Sequence, residues 1–452
     1  MVFLIEEKMT GIVDGYSNKV LFCSDGYQFT FMTSELPSKN QREGIVIHPV
    51  DGYVFATTHT GKKVAILVGI HEFEVLSSIS LSTELFLVSD LANPNVDIAR
   101  FRSIAIVGGT LNKLRDYKSK GISTKYSDDN CLTVNRTENR SSYTFSTESF
   151  SCKVTVGNVA RDHGGLDDLT LKDDRFLLLT FDKDQPIGTF LKHYRHINRL
   201  VSVMTNRSEN PCSEIILSPS VNDPQHYLKK VYVYLKDNQN QMSQNNTCIS
   251  FEEMGSSIAN LLSLFYNSKP KKPSYSLGFI PRNDDESWQV TDDVVRSVSS
   301  ALECEADLDD DVKRFQQSEL TKLCSTVKDV VVRHREEHAS NPVLTDATYD
   351  LIFGSINHWS SSAFDRITIL FHKHEKAIHF LPCMYYIDIT DADIHAFISY
   401  RNSISHGTYR EMTGQIRRTT LVLGILVRCC ILYRVGVPEK TIKDICCRYF
   451  GF

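Results

Sequence analysis

Residues 400–406 read Tyr-Arg-Asn-Ser-Ile-Ser-His and lie between two predicted helices near the C-terminus. Upstream, an apolar series that includes Ile394 has three- and four-residue spacing, which predicts a short amphipathic helix. Downstream, Gly407 interrupts the pattern, and a long, largely apolar helix is predicted from Thr408 or the next residue to about Tyr433. A guanidinium, a carboxamide and an imidazole therefore fall together at a corner between two helices.

Helical periodicity extends outward from this corner over the last third of the chain. Apolar side chains recur at three- and four-residue spacing in three further segments, which include Phe315, Phe353 and Phe364. Pro438 opens a short terminal helix, because proline is favoured at the first helical position. We therefore predict an all-α helical bundle over residues 311–452.

Residues 1–267 show a different pattern, in which short alternating or β-branched runs are separated by Gly, Asp and Asn. Asp25-Gly26 and Asp51-Gly52 are hairpin-turn signals between such runs. Helical spacing appears within residues 187–203, and Ser250 begins a capping-box pattern that predicts another helix. We predict an antiparallel, β-rich region here, and the fold class of the whole chain is then α+β.

A linker is predicted between these two regions, over residues 268–310. Its first part carries three prolines and three lysines. Residues 284–311 then contain eleven Asp or Glu against a single cation, Arg296. Such a run is typical of a solvated acidic face.

The composition is ordinary for a soluble protein, with 452 residues, 41% of them hydrophobic and 23% charged, and a net charge of -5. That length predicts two or three domains. The 12 cysteines include no Cys-x2-Cys pair, so reduced thiols are expected rather than a zinc site. The apolar run at residues 421–427 is too short to span a bilayer, and the N-terminus has no signal-peptide pattern. We predict a cytoplasmic protein with no membrane partner and no cofactor.

Several histidines lie close together in the sequence and raise the question of a metal site. They are His193, His196, His372, His374 and His379. Their spacing within predicted helices favours surface or core histidines, and we predict no metal site.

Arg401, Asn402 and His406 have the chemistry expected of a phosphodiester-processing site. The same Arg–His spacing occurs at Arg333 and His338, so spacing alone is weak evidence. The residues around Arg333 are polar, whereas Arg401 ends an apolar-faced helix, and a helix end here would let His406 turn back towards Arg401. Arginine contacts phosphate oxygens in bidentate fashion, and histidine exchanges protons near neutral pH. The alternative is that Arg401 satisfies a helix C-terminus and His406 caps the next helix.

With Arg401, Asn402 and His406 at a helix junction, the helical third of the chain resembles the HEPN superfamily. These are small helical domains whose signature is Arg-x4-6-His, commonly with Asn just after the Arg. Arg401, Asn402 and His406 match that signature at a junction of two helices. A β-rich region followed by such a domain is similar in architecture to the ApeA-type bacterial anti-phage proteins.

The resemblance implies a metal-independent endoribonuclease used in abortive-infection defence. HEPN domains dimerise so that the motifs of two protomers form one composite site, where the RNA 2′-OH attacks the adjacent phosphate. The products are a 2′,3′-cyclic phosphate and a 5′-OH. His406 is then expected to act as general acid or base, Arg401 to stabilise the phosphorane charge, and Asn402 to orient the pair.

The implied partners are RNA, with tRNA as one candidate, a second copy of the chain, and a phage-derived trigger. The β-rich region would sense infection or restrain the nuclease. The superfamily also contains inactive members, so the alternative is a HEPN-type adaptor that acts through assembly without catalysis.

The local charge favours a polyanionic ligand. From Arg401 to Phe452 there are nine Lys or Arg against three Asp or Glu. Arg410, Arg417 and Arg418 are nearest the motif and are predicted to contact the RNA backbone, with ordinary surface charge as the alternative. Tyr409 could stack on a base or simply pack. The acidic residues 284–311 could compete with RNA for this basic site, and the sequence does not decide whether they do.

Overall fold

The protein has two compact units, Met1–Asn267 and Ser268–Phe452. The computed structural model describes residues 8–16, 19–34, 44–90, 97–114, 122–126, 132–136, 139–163, 170–218, 230–236, 248–267, 277–283, 285–340, 343–357, 363–378, 389–408 and 410–449. The first unit contains the β-structure and the second is helical. The fold class is therefore α+β, as predicted.

An antiparallel sheet dominates the first unit. The strands are β1 Thr10–Val13, β2 Val20–Asp25, β3 Gln28–Thr33, β4 Ile45–Ile47, β5 Tyr53–Thr58, β6 Lys63–Leu67, β7 Phe73–Val75, β8 Ser78–Ser82, β9 Leu85–Ser89, β10 Arg100–Val107, β11 Ile122–Tyr126, β12 Leu132–Arg136, β13 Arg140–Ser146, β14 Ser151–His163, β15 Thr170–Pro186, β16 Glu214–Ser218 and β17 Val231–Leu235. Thirteen of them form one sheet in the order β13-β14-β15-β10-β16-β17-β9-β6-β5-β1-β2-β3-β8. β11 pairs with β12, and β4 pairs with β7, in two small sheets.

Both predicted hairpin turns are present. The two-residue turn between β2 and β3 begins at Gly26, with φ of +58°. The turn before β5 has Asp51 at φ 53° and Gly52 at φ 82°. Left-handed conformations at these central turn positions match the right-handed twist of the flanking strands, which favours Gly at the first turn and the Asp-Gly pair at the second.

Alternating aromatic side chains form a core along this sheet. Phe22 on β2 and Phe29 and Phe31 on β3 are buried, and Phe86 of β9 packs edge-on against Phe29 at 5.3 Å between ring centroids. Because successive residues of a strand point to opposite faces, this alternation places one face of the sheet in the core.

The helices of the first unit are α1 Phe190–Thr205, α2 Phe251–Met254 and α3 Ser257–Asn267. The predicted capping box is present at the start of α2. The Ser250 hydroxyl accepts from the Glu253 amide at 3.1 Å, and the Glu253 carboxylate accepts from the Ser250 amide at 2.7 Å. Two N-terminal amides that α2 cannot satisfy internally are thus hydrogen-bonded.

The second unit is a helical bundle. Its helices are α4 Asp292–Leu308, α5 Asp310–Glu337, α6 Asp346–Asn357, α7 Ala363–Ile378, α8 Asp391–Ser405, α9 Gly414–Arg434 and α10 Glu439–Tyr449. α9 is central and packs against α4, α7, α8 and α10. Phe397 of α8, Leu302 of α4 and Leu423 of α9 are fully buried in its core.

The predicted linker does not extend over residues 292–308. These residues form α4, which buries Val295, Val298 and Leu302 and packs against α7, α8 and α9. The three apolar side chains follow helical spacing, so the acidic residues occupy the remaining positions of an amphipathic helix. The predicted linker rested on the run of acidic residues, although the apolar residues within it have helical spacing.

The helix after the motif begins later than predicted, at Gly414. Thr413 adopts an extended conformation, and its hydroxyl accepts a hydrogen bond from the Ile416 amide at 3.3 Å. This N-cap fixes the start of α9, because a threonine hydroxyl satisfies one of the free amides of the first turn.

Candidate active site

α8 carries the Arg–Asn–His motif on its last turn. The helix starts at a capping box in which the Thr390 hydroxyl accepts from the Asp393 amide and the Asp393 carboxylate accepts from the Thr390 amide. Ile394 and Phe397 are completely buried and anchor its apolar face. The motif is therefore placed on an element that the bundle holds on one side.

The C-terminus of α8 is a glycine-terminated Schellman motif. The Thr408 amide donates to the Ser403 carbonyl at 2.9 Å, and the Gly407 amide donates to the Ile404 carbonyl at 3.4 Å. Gly407 has φ of +71°, a conformation that glycine adopts without the strain a Cβ would add. The predicted break at Gly407 is therefore confirmed, and His406 is the C-cap residue.

Arg401 is held between two oxygen acceptors. Its Nη2 lies 2.5 Å from Oε1 of Glu303 on α4, and its Nη1 donates to Oδ1 of Asn402 at 3.1 Å. The Arg401 side chain is 26% exposed and that of Glu303 is 31% exposed. The guanidinium is thus oriented by protein groups while part of it remains accessible to solvent.

Within one chain, the His406 backbone does not turn back towards Arg401. The His406 backbone at φ -94° and ψ 8° continues the helical turn, and the His406 amide still donates to the Asn402 carbonyl. At 3.6 residues per turn, five positions rotate the side-chain direction by about 140°. The expected return of His406 towards Arg401 is therefore not observed. In the described part of the chain, no hydrogen bond joins the His406 side chain to another residue.

Glu303 is a site residue that the sequence analysis missed. It lies 98 positions before Arg401 in the sequence, within the acidic run. One helical turn further along α4, Asp307 pairs with Arg366 of α7 at 3.2 Å, and the Arg366 guanidinium also donates to the Glu303 carbonyl at 3.0 Å. The acidic residues of α4 thus organise arginines of α7 and α8. A helical reading of residues 292–308 would have placed Glu303 and Asp307 on one face.

A groove of about 520 Å³ lies beside the end of α8. It is lined by Asp292, Arg296, Tyr400, Ile404, Gly407, Thr408, Arg410, Glu411, Met412 and Arg417. Side-chain hydrogen bonds join four of its lining residues in pairs: the Tyr400 hydroxyl donates to Oδ1 of Asp292 at 2.7 Å, and Arg296 Nη2 donates to the Ile404 carbonyl at 2.9 Å. Gly407 and Thr408, which follow His406, form one wall of this groove.

The four residues predicted to contact RNA have different positions. Arg410 and Arg417 line the groove. Arg418 is exposed on α9 but is not among the lining residues. Tyr409 lies outside the described residues.

The positive charge of the C-terminal segment is only partly on the surface. Arg428 is 4% exposed. Arg434 forms an ion pair with the fully buried Glu305 of α4, and burial lowers the pKa of Arg434 to about 10. The charge count thus overstated the free positive charge available to a polyanion, because Arg428 is buried and Arg434 is paired with Glu305.

Two of the histidines that could suggest a metal, His193 and His372, have other hydrogen-bond partners. His193 and His196 of α1 are buried, and Nδ1 of His193 lies 2.8 Å from the Tyr266 hydroxyl. His372 pairs with Glu375 and Asp391, and the Glu375 carboxylate is the main cause that raises the His372 pKa. Among the described residues, no three His, Cys, Asp or Glu side chains are grouped so that they could hold a metal ion. His379 lies outside these residues.

Comparison of the chain with protein-family models, with curated proteins and with solved structures found no match. In the ranges that the structure describes, no helix combines the length and apolarity needed to cross a membrane.

Proposed function

We propose that this protein is a HEPN-type endoribonuclease that cleaves RNA without a metal. The observation that carries the proposal is the arrangement at the end of α8. Arg401 is oriented there by Glu303 and Asn402, and His406 occupies the exposed corner beside a groove lined by three arginines. Guanidinium groups suit phosphate oxygens, and an exposed imidazole can exchange a proton near neutral pH.

In the proposed reaction, the RNA 2′-hydroxyl attacks the neighbouring phosphorus and the 5′-oxygen leaves. His406 acts on the transferred proton as general base or acid, and Arg401 stabilises the negative charge that grows on the phosphorane oxygens. The bond formed is 2′-O–P and the bond broken is P–O5′. The products are a 2′,3′-cyclic phosphate and a 5′-hydroxyl, so the reaction consumes no water in this step.

The divergence of Arg401 and His406 supports a composite site made by two copies of the chain. Two side chains separated by about 140° around a helix are poorly placed to contact one phosphate together. A second protomer that presents its own motif to the first would supply the missing group. On this proposal the homodimer is the active species.

The deciding experiment is RNA cleavage by the wild type, Arg401→Ala and His406→Ala, each with and without EDTA. We expect either substitution to lower the cleavage rate by about 100-fold or more, which is the lower range for loss of a general acid or base. Cleavage by the wild type should persist in EDTA.

The chain contains its own control for this experiment. Arg333 and His338 have the same spacing at the C-terminal end of α5, where Arg333 is exposed. Arg333→Ala and His338→Ala should cleave RNA at the wild-type rate. If Arg401→Ala and His406→Ala also keep that rate, the site assignment is wrong, and if EDTA abolishes cleavage, the metal-free mechanism is wrong.

We further propose that the nuclease acts in the bacterial cytoplasm as an abortive-infection protein, and that the β-rich unit senses a phage-derived trigger. Expression of the wild type should then slow cell growth and lower phage plaque numbers, and Arg401→Ala should do neither. The second candidate is the non-catalytic adaptor. It is favoured by the Glu303 ion pair, which already neutralises Arg401, and it predicts no cleavage under any condition.

A further inference from the structure

The groove beside α8 combines donors and acceptors in one concave surface. Arg410 and Arg417 are exposed cations on its walls, and Arg296 contributes a third guanidinium from α4. Asp292 and Glu411 add carboxylates, while Ile404 and Met412 add apolar surface. A uniform basic patch would attract any polyanion. This groove also presents carboxylates and apolar side chains, which a ligand must match.

We propose that this groove binds one segment of single-stranded RNA, with Arg410 and Arg417 contacting its phosphates. The inference rests on the proposed ribonuclease function and specifies where the strand next to the cleaved bond lies. The groove belongs to the same chain as the motif, and its wall at Gly407 and Thr408 follows His406 directly. A strand in the groove is thereby led to the corner that carries the imidazole.

The size and chemistry of the groove fit a nucleotide. Its volume of about 520 Å³ falls within the range of about 300–1,000 Å³ that is typical of small-molecule sites. Guanidinium groups give paired hydrogen bonds to phosphate oxygens, and a carboxylate such as that of Glu411 can accept from a ribose 2′-hydroxyl or a base amino group. A single strand exposes all of these groups, whereas the paired base edges of a duplex are not free to contact the groove residues.

Arg296 has a fixed place in this groove. Its Nη1 lies 2.9 Å from Asp293, and its Nη2 donates to the Ile404 carbonyl. It therefore holds the last turn of α8 in position besides adding positive charge to the groove. Arg410 and Arg417 are the better residues for a test, because their exposed side chains can be changed without opening the bundle.

Arg418 is a matched control within the chain. It follows Arg417 directly and is likewise exposed on α9, but it does not line the groove. Charge reversal at Arg417 and at Arg418 changes the net charge by the same amount on the same helix. A difference in RNA affinity between the two variants would therefore arise from the groove and not from the net charge of the protein.

The test is fluorescence anisotropy of a labelled, single-stranded 2′-O-methyl RNA 12-mer with the full-length chain. This probe lacks the attacking hydroxyl, so binding is measured without cleavage. We expect Arg410→Glu and Arg417→Glu each to raise Kd about tenfold or more, and Arg418→Glu to raise it less than about threefold. A melting temperature within a few degrees of the wild-type value shows that the variants are folded.

Two outcomes would contradict the proposal that the groove binds RNA. Arg418→Glu could weaken binding as much as Arg417→Glu, which would show a diffuse charge effect, or the wild type could fail to bind the probe. Both are separate from the failure of the proposed chemistry. If the Arg401 and His406 variants still cut RNA while the Arg417 and Arg418 variants differ as expected, the groove stands as an RNA site and only the catalytic assignment falls.

Discussion

Arg401 shares its guanidinium between Glu303 and Asn402, at 2.5 and 3.1 Å. An arginine has five N–H donors in a fixed fork, so two protein acceptors leave others for a phosphate. Glu303 has opposing effects on such a ligand. It orients the guanidinium, and its negative charge repels the RNA backbone.

We predict that Glu303→Gln tightens binding of the 2′-O-methyl RNA probe by about three- to fivefold. The glutamine keeps a hydrogen-bond acceptor for Arg401 and removes the competing charge. Both side chains of this pair are about a quarter to a third exposed, and a pair of this kind is worth about 0–1 kcal/mol, which limits the gain. The measurement is the same anisotropy titration.

Asp307→Asn is the control for this prediction. It removes a negative charge one helical turn away, where the carboxylate pairs with Arg366. Asp307→Asn should change the probe Kd less than Glu303→Gln does. Equal tightening in both variants would mean that only the net charge matters, and weaker binding in Glu303→Gln would mean that orientation of Arg401 dominates.

Among the elements, α8 and the loop after it determine where the motif residues lie. The capping box at Thr390 sets the start of the helix, and the Schellman motif sets its end at His406. The left-handed Gly407 then turns the chain into the groove wall. The placement of His406 thus depends on a backbone conformation that only a few residue types tolerate.

Two glycines of this region should respond oppositely to the same substitution. A Cβ at Gly407 or at Gly414 would meet no atom within 4 Å, so packing does not distinguish them. Gly407 has φ of +71°, whereas Gly414 is the first residue of α9. Gly407→Ala should lower the free energy of unfolding by about 1–2 kcal/mol, and Gly414→Ala should raise it by about 0.4–1 kcal/mol.

Urea unfolding of the full chain, followed by helix circular dichroism, measures both changes. Gly407→Asn should lose less stability than Gly407→Ala, since asparagine adopts left-handed conformations more readily. If Gly407→Ala is as stable as the wild type, the assigned conformation of the α8 terminus is wrong.

For the whole molecule, the two units have different pH responses. The first unit buries His193 and His196, and burial is the main cause that lowers their pKa values to about 3 and about 4, respectively. The His193 ring is surrounded by the aromatic rings of Phe101, Phe150 and Phe181. Both imidazoles are therefore neutral in the folded protein at neutral pH.

The free energy of unfolding should fall as the pH decreases from about 6.5 towards 4. The unfolded chain binds protons at the ordinary histidine pKa of about 6.5, whereas the folded chain does not until the pH approaches the lowered values. Each buried imidazole should lower the free energy of unfolding by about 2 kcal/mol between pH 7.5 and pH 5. The slope is about 1.4 kcal/mol per pH unit below the ordinary histidine pKa.

Urea titrations of the wild type and His193→Phe at pH 7.5 and pH 5 test this. The phenyl ring suits the aromatic surroundings and cannot be protonated, so the variant should lose about 2 kcal/mol less than the wild type over this pH range. An equal loss in both proteins would show that His193 is not the responsible group. His372 is a control, because its raised pKa means that its protonation stabilises the folded protein as the pH falls.

Much of the local structure was predictable from residues a few positions apart. The hairpin turns at Gly26 and Gly52, the capping box at Ser250 and the helix end at Gly407 are all present in the structure. Each depends on backbone preferences or hydrogen bonds within four residues, so the sequence by itself determines them.

Only the tertiary structure decided the surroundings of the motif. It placed Glu303 against Arg401, put Arg417 but not Arg418 in the groove lining, buried Arg428 and paired Arg434 with Glu305. These relations join residues far apart in the chain or depend on which face of a helix packs inward. They are set by helix packing around a shared core, where the cost of burying an unpaired charge selects the partners.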